Sequence, residues 1–266
     1  RRCHTGQTNH HPSDPDDGNA VSQIFISDLH LDASRPETTA AFLELLAAQC
    51  RGIEALYILG DLHEAWIGDD EDSELALQTQ QALAACSASG TRIFVQRGNR
   101  DFLLGPVFAE RIGGQLLPDY AVISCAGEPA LLMHGDLLCT EDRDYLAFRN
   151  QVRNPDWQRL FLSQPLAARR AYAEQARQAS QNRQQGLKDN QQLESITDVS
   201  ADAVMATMRH YGVKRMIHGH THRPARHALE LDGLPAERIV LGDWYTQSSH
   251  LAAAGNSLKL HYSPAP

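Results

Sequence analysis

The sequence contains few features that would cross-link a chain or hold it in a bilayer. Its five cysteines are scattered over 266 residues and include no CxxC pair, which argues against a disulfide framework or a cysteine zinc site and favours a reducing compartment. No apolar run approaches the ~20 residues that span a membrane, and no secretory leader is recognisable. We therefore expect a cytoplasmic protein whose contact with a membrane, if any, is peripheral.

Positive charge is also scarce. The chain carries 24 Lys and Arg against 33 Asp and Glu, a formal net charge of -9. Because nucleic-acid binding depends on neutralising backbone phosphates, we expect no nucleic-acid partner, and nothing in the sequence indicates an obligate protein partner. A phosphate-bearing ligand would have to be bound by local cations or by metal ions.

Periodic patterns are missing at the start of the chain. Residues 1–20 are polar and rich in turn-forming residues, so we expect a disordered extension. From Val21 onward, short apolar runs alternate with stretches in which Ala and Leu recur at i, i+3 and i+4. This alternation predicts a layered α/β fold, with one domain formed by residues 21–140 and 196–266. The strand-like runs are 23–30, 54–66, 91–101, 129–136 and 213–222.

The alternation stops between residues 141 and 195. This stretch has no strand-like run and reads as helices, and its first fifty residues carry nine Lys and Arg against six Asp and Glu. It is either an ordinary amphipathic helical hairpin that covers the sheet or a cap that holds an anionic, partly apolar ligand. Its large apolar side chains are Tyr145, Phe148, Trp157, Leu160, Phe161, Leu162 and Tyr172.

The end of the chain returns to periodic patterns. Residues 200–212 predict a helix that begins after Ser200 and ends at Gly212. Residues 227–244 and 257–264 then predict antiparallel strands, which we expect in a second sheet packed on the first.

Polar motifs close five of the strand-like runs, at the position where open α/β sheets bind their ligands. They combine carboxylate, imidazole and amide groups without thiolate, a set that suits Mn, Fe, Zn, Co or Mg. The motifs are Asp28-x-His30, Gly60-Asp61, Gly98-Asn99-Arg100-Asp101, His134-Gly135-Asp136 and Gly219-His220-Thr221-His222.

The spacing within these motifs predicts a shared metal site. Asp28 and His30 are two residues apart, so strand alternation would point both side chains to one face. The same holds for His220 and His222. Asp61 can bridge two cations, which at ~3.5–4 Å from each other form a clamp for displacement at phosphorus.

The remaining motif residues add to this chemistry. Asn99 supplies a neutral carbonyl oxygen, and His134 completes a second set of ligands. The planar fork of Arg100 suits phosphate oxygens and can neutralise charge that develops in a transition state. Asp101 and Asp136 are expected to orient their neighbours rather than to bind metal.

In order and spacing, the five motifs resemble those of the calcineurin-like metallophosphoesterases, over nearly the whole chain from about Val21. The resemblance implies a layered β-sandwich flanked by helices, with a helical cap insertion over residues 141–195. It also implies two metal ions that share Asp61. One would be held by Asp28, His30, Asp61 and His222, and the other by Asp61, Asn99, His134 and His220.

Longer stretches are similar to a branch of this family that acts on nucleotide-linked diacyl lipids in lipid A biosynthesis. These stretches are 27–31, 57–70, 98–105, 133–149 and 217–225. The resemblance implies two Mn²⁺ ions, attack at the phosphorus on the UMP side of a pyrophosphate, and peripheral association with the cytoplasmic face of the inner membrane. Asn99, Arg100 and His220 would be catalytic. The implied substrate contacts are Asn99, Arg100, Asp142, Ser180 and His220.

Some positions depart from the family pattern or carry a second interpretation. His63 stands where an aromatic residue is usual, and we expect it to pack or to face solvent. His218 precedes the two predicted ligands and is expected outside the metal site. After Ser180 the chain is rich in Gln, and Lys188 is the candidate for a basic residue expected there. The acidic run 69–72 is expected to be a solvated loop.

Two other functions remain open at this point. A related phosphodiesterase could act on a soluble nucleotide, although such a substrate does not require the apolar side chains of the insertion. A scaffold without catalysis should have lost ligands, whereas all seven are present.

Overall fold

The computed structural model describes residues 20–189, 197–245 and 247–264. Residues 1–19 of the predicted disordered extension and residues 190–195 of the predicted insertion lie outside these ranges. Lys188 lies within them, but its side chain is not described. No helix in the described ranges is long and apolar enough to cross a bilayer.

Strands and helices alternate through the first half of the chain, as the apolar pattern predicts. In chain order the elements are β1 (Gln23–Ile26), α1 (Pro36–Gln49), β2 (Ala55–Leu59), α2 (Glu74–Ala88), β3 (Arg92–Gln96), α3 (Pro106–Arg111), β4 (Gly114–Leu116), β5 (Ala121–Cys125), β6 (Glu128–Leu132), α4 (Arg143–Val152), α5 (Pro155–Leu162), α6 (Leu166–Asp189), α7 (Ala201–Tyr211), β7 (Arg215–His218), β8 (Ala225–Leu231), β9 (Leu234–Val240), β10 (Gln247–Ala254) and β11 (Ser257–Pro264).

The strands form two sheets. The first has the order β11-β10-β1-β2-β3-β4 and the second the order β5-β6-β7-β9-β8. Strands β1 to β4 pair in parallel, as do β6, β7 and β9. Strands β1 and β2 are buried along their whole length, which explains why they read in the sequence as continuous apolar runs.

The C-terminal strands divide between the two sheets, so the expectation that all of them belong to the second sheet is wrong. Strands β8 and β9 lie in the second sheet, whereas β10 and β11 extend the first one. The physical reason is the free edge of β1, which β10 covers in antiparallel register with Phe25 opposite Leu251. An unpaired edge there would expose a row of backbone donors and acceptors.

Three apolar layers hold the sheets and helices together. Ile24 packs towards α1 and α2 on one face of the first sheet, and its neighbour Phe25 packs into the layer between the sheets. Met208 of α7 packs on the outer face of the second sheet. Helix α7 confirms its sequence prediction, because the side chain of Ser200 accepts a hydrogen bond from Ala203 N and Gly212 ends the helix with φ 64°.

We call helices α4, α5 and α6 the cap helices, and the last of them, α6, forms ion pairs with the acidic run 69–72. Arg169 forms an ion pair with Asp70, and Arg170 contacts both of the next two carboxylates. Asp69 accepts hydrogen bonds from two backbone N–H groups at the start of α3. The expectation of a solvated loop holds for Asp70 and Asp72, whose side chains are 61% and 72% exposed. It did not include the ion pairs that the run forms with α6.

Two leucines on α2 allow the packing of the first layer to be tested. Leu83 is fully buried and Leu77 is 46% exposed. Leu83→Ala should lower the free energy of unfolding by about 2–5 kcal/mol because it leaves a cavity, and Leu77→Ala should change it by less than about 1 kcal/mol. Equilibrium urea unfolding followed by circular dichroism measures both. Equal losses in the two variants would contradict the assigned burial.

Candidate metal centre

The predicted ligands lie just beyond the carboxyl ends of strands from both sheets. Asp28, Asp61 and Asn99 follow β1, β2 and β3 of the first sheet, and His134 and His220 follow β6 and β7 of the second. Because parallel strands end at the same edge, these loops meet in one place. The structure thus brings together all seven residues that the sequence singled out.

Most of these residues adopt a left-handed backbone. The φ angles are 55° at Asp28, 49° at His30, 53° at Asp61, 68° at His220 and 59° at His222. The expectation that strand alternation aligns the two Asp28 and His30 side chains is wrong, because both residues lie after β1 in a tight loop. A left-handed non-glycine residue costs roughly 1–3 kcal/mol, and such strain concentrates at functional sites.

Backbone hydrogen bonds hold the two carboxylates in place. Oδ2 of Asp28 accepts from His220 N at 2.9 Å, and Oδ1 of Asp61 accepts from Arg100 N at 2.8 Å. Each carboxylate therefore keeps its second oxygen for the centre of the site. Glycine makes this approach possible, since a Cβ at Gly98 would overlap the Asp61 carboxylate.

The first half of the site is formed by Asp28, His30 and His222. The two Nε2 atoms of the histidines lie 3.2 Å from each other, and Oδ1 of Asp28 lies 3.4 Å from Nε2 of His222. This oxygen is buried and has no hydrogen-bond partner. A buried carboxylate oxygen that faces two imidazole nitrogens is the donor set of a divalent cation.

The second half is formed around Asn99. Its Oδ1 lies 2.9 Å from Nε2 of His134 and 3.0 Å from Nδ1 of His220. Between the halves, Oδ2 of Asp61 is 3.6 Å from Nε2 of His30 and 3.8 Å from Nε2 of His134. This central position suits the bridging role expected of Asp61.

The electrostatics of the site fit a cation. Burial favours the neutral form of Asp28, yet the contact with His222 and the charges of the other histidines hold its pKa well below the usual range. Burial opposes charge on His134, but Asp61 and Asp28 raise its pKa to about 9. The buried carboxylates thus demand nearby positive charge, which divalent cations can supply.

Carboxylates outside the ligand set lie beside the outer ring nitrogens of two histidines, and sequence reasoning missed both of them. Nδ1 of His30 lies 3.3 Å from Oε2 of Glu64, and Nδ1 of His222 lies 3.5 Å from Oδ2 of Asp243. Such partners fix the orientation and tautomer of a metal-binding imidazole. A Glu three residues after Asp61 gives no sequence signal that separates it from a solvated surface residue.

The predicted accessory residues are placed as follows. Asp101 is buried and accepts hydrogen bonds from three backbone N–H groups around Asp61, while Asp136 accepts from Arg149 at 2.7 Å. Burial and the charge of Asp61 raise the pKa of Asp101 to about 6. His63 is buried against Trp66, with ring centroids 4.9 Å apart, so it packs and does not face solvent.

His218 uses both ring nitrogens away from the ligand set. Its Nδ1 lies 2.8 Å from the carbonyl of Gly219, and its Nε2 lies 3.2 Å from the guanidinium of Arg238. Burial and the charge of Arg238 lower its pKa to about 3. The structure places this histidine beside the site as a packing residue.

A cavity of about 530 Å³ opens beside the metal centre. Asn99 and Arg100 line it on the metal side, and Arg100 has a buried Nε without a hydrogen-bond partner. Ser180 also lines the cavity. Asp142 is not among the lining residues; it precedes α4 as its N-cap and forms an ion pair at 2.7 Å with Arg183, which does line the cavity. The larger apolar and aromatic side chains in the lining are Trp66, Ile67, Phe102, Leu103, Tyr145, Phe148, Phe161 and Tyr172.

Comparison with known proteins agrees with this geometry. The pattern of the calcineurin-like phosphoesterases matches residues 23–224. A UDP-2,3-diacylglucosamine hydrolase of Xanthomonas campestris is 53% identical over 242 residues, which cover 90% of this chain and 98% of that protein. The proteins of the same name from Cellvibrio japonicus (52%, covering 90% and 98%) and Stenotrophomonas maltophilia (55%, covering 87% and 94%) are similarly close. The chain therefore belongs to the calcineurin-like phosphoesterase family, and within it to the branch of these hydrolases.

Proposed function

We propose that the protein hydrolyses the pyrophosphate of UDP-2,3-diacylglucosamine to UMP and 2,3-diacylglucosamine 1-phosphate, a step of lipid A biosynthesis, with two Mn²⁺ ions as cofactors. The observation that carries the proposal is the position of the cavity. Its polar end is formed by Asn99, which belongs to the metal centre, and by Arg100. The rest of its wall comes largely from the cap helices and combines aromatic and aliphatic side chains with polar ones, among them Ser180 and Arg183. A soluble nucleotide would require the polar end of the cavity but not the apolar side chains of its wall.

The chain's own residues divide the work of the reaction. Two divalent cations, when bound, supply charge to the phosphoryl oxygens and lower the pKa of water to produce a nucleophile. Asp61 would hold both ions, and Asn99 and His220 would hold one ion at the mouth of the cavity. The guanidinium of Arg100 would bind the pyrophosphate oxygens and stabilise charge that develops on them.

Substrate contacts in the cap are also part of the proposal. Ser180 lies in the cavity wall and can donate a hydrogen bond to the sugar or to the phosphate. Asp142 would act by holding Arg183, which lines the same wall. The aromatic side chains of the cap would remove acyl surface from water, at roughly 25 cal/mol per Å².

We further propose that the protein works at the cytoplasmic face of the inner membrane, bound peripherally. The support comes from exposed apolar side chains of the cap helices that do not line the cavity, since Leu160 is 68% exposed and Leu162 41%. Apolar side chains beside arginines are the composition that binds the interface of an anionic bilayer.

The substrate assignment predicts a specific product pattern. Purified protein with Mn²⁺ should release UMP from UDP-2,3-diacylglucosamine, and in ¹⁸O-labelled water the label should enter UMP, because attack occurs at the phosphorus on that side. Phosphorus NMR and mass spectrometry of the nucleotide measure both. UDP-GlcNAc and a dinucleoside polyphosphate serve as controls, and equal turnover of either would overturn the lipid assignment.

The bridging role of Asp61 predicts a contrast with its neighbour Arg100. Asp61→Ala should lose bound metal and all turnover, because both halves of the site face its Oδ2. Arg100→Ala should keep its metal and slow turnover by roughly 10²–10³-fold. Metal analysis after dialysis and steady-state kinetics separate the two effects. Metal loss in Arg100→Ala would show that this arginine is structural.

The close approach at Gly98 predicts a third effect. Gly98→Ala should weaken Mn²⁺ binding by more than about tenfold, because its Cβ would displace the Asp61 carboxylate. Gly186→Ala on α6 is the control, since a Cβ there meets nothing within 4 Å and the change favours helix by about 1 kcal/mol. Calorimetric Mn²⁺ titration of both proteins measures the difference, and unchanged binding in Gly98→Ala would refute the steric argument.

A further inference from the structure

Glu64 connects the metal centre to the cap. It follows β2 three residues after Asp61 and is only 7% exposed. Five side chains contact or approach its carboxylate. Burial raises the pKa of Glu64, but the contact with His30 and the charge of Arg100 outweigh burial and lower the pKa to about 2. The side chains around it are His30, Arg35, Arg100, Arg177 and Tyr245.

One oxygen of Glu64 serves the metal ligand His30. Oε2 lies 3.3 Å from Nδ1 of His30, just outside hydrogen-bond geometry, and this nitrogen has no other partner. The same oxygen accepts a hydrogen bond from the hydroxyl of Tyr245 at 2.8 Å, and the Tyr245 ring stacks on the imidazole at 4.9 Å. With a proton held on Nδ1, the imidazole presents the lone pair of Nε2 to the metal site.

The other oxygen of Glu64 is reached from the cap. Oε1 lies 3.4 Å from Nε of Arg177, and Nη1 of the same arginine donates a hydrogen bond to Asp32 at 3.0 Å. Arg177 belongs to α6, whereas the remaining contacts of Glu64 come from loops of the sheet domain. A single buried carboxylate therefore touches a metal ligand on one side and a cap helix on the other.

We propose that Glu64 is a positioning residue for His30, and that Arg177 holds Glu64 in the orientation this requires. The position of α6 relative to Glu64 then determines how tightly the metal centre binds divalent cations. By thermodynamic reciprocity, cation binding also holds α6 against the sheet domain. This inference rests on the proposed metal-dependent function, and it concerns cation binding in the absence of substrate.

The sign of the effect separates positioning from simple electrostatics. Arg177 carries positive charge close to a cation site, so its field alone weakens cation binding, and removal of the charge would strengthen it. Loss of a positioning contact has the opposite effect, because Glu64 can then turn away from His30. Weaker cation binding in a variant without this charge is therefore specific to the positioning role.

Calorimetric titration of the full chain with Mn²⁺, without substrate, tests the proposal. Glu64→Gln should weaken binding by roughly 10- to 100-fold, and Arg177→Met by about 3- to 10-fold. The matched control is Arg170→Met on the same helix, which removes ion pairs with Glu71 and Asp72 and leaves the contact between Arg177 and Glu64 in place. Because pairs of this exposure contribute little to holding a helix, the affinity should change less than about twofold. The double variant should be no weaker than Glu64→Gln alone, because both changes act through one contact.

Hydrogen exchange of α6 gives a second readout that does not depend on the titration. Mn²⁺ should slow exchange over residues 166–189 in the unmodified protein and in Arg170→Met, and should do so much less in Arg177→Met. Tighter Mn²⁺ binding in Arg177→Met, or behaviour equal to that of Arg170→Met in both measurements, would overturn the proposal. Neither measurement uses substrate, so a failure to release UMP would refute the proposed function and leave this inference separately testable.

Discussion

The burial of two carboxylates, Asp28 and Asp61, is the constraint on which the rest of the structure depends. An isolated buried charge is very unfavourable unless it is hydrogen-bonded and compensated. Asp28 follows β1 of the first sheet and accepts a hydrogen bond from the backbone N–H of His220, which follows β7 of the second sheet. Asp61 is tied in the same way to the loop after β3. The bond to Asp28 therefore also joins the two sheets at their carboxyl ends, and the bond to Asp61 joins two neighbouring loops of the first sheet.

The left-handed backbone at Asp28 and Asp61 accompanies the same constraint. The chain turns sharply after each strand, and each carboxylate accepts a backbone hydrogen bond with one oxygen while the other faces the histidines of the site. The loops do this without glycine at the ligand positions, which stores strain of roughly 1–3 kcal/mol per residue. Glycines stand beside them instead, where Gly98 and Gly219 leave room for the two carboxylates. Cation binding in a site so preorganised requires little further rearrangement of the chain.

Patterns in the sequence predicted local features of the structure better than they predicted contacts between residues far apart in the chain. The caps of α7 and the position of the seven ligands after strands depend on neighbouring residues, and both could be read directly. The placement of β10 beside β1 joins residues far apart in the chain, and period-2 patterning does not name the partner strand. The roles of Glu64 and Asp243 were missed for a similar reason. The role of an acidic residue near a metal ligand can be recognised only when the fold shows which imidazole nitrogen lies beside it.

The ion-pair partners of the arginines in the cap helices alter the interpretation of their positive charge. The basic composition of the cap suggested an anionic ligand, yet most of these arginines bind carboxylates of the protein itself. The pairs are Arg149 with Asp136, Arg169 with Asp70, Arg170 with Glu71, Arg177 with Glu64 and Arg183 with Asp142. Arg100 differs from these arginines, because its buried Nε lacks a hydrogen-bond partner, and the proposed function assigns it to the phosphate. The cap contributes an apolar wall, held by ion pairs to the loops that carry the chemistry.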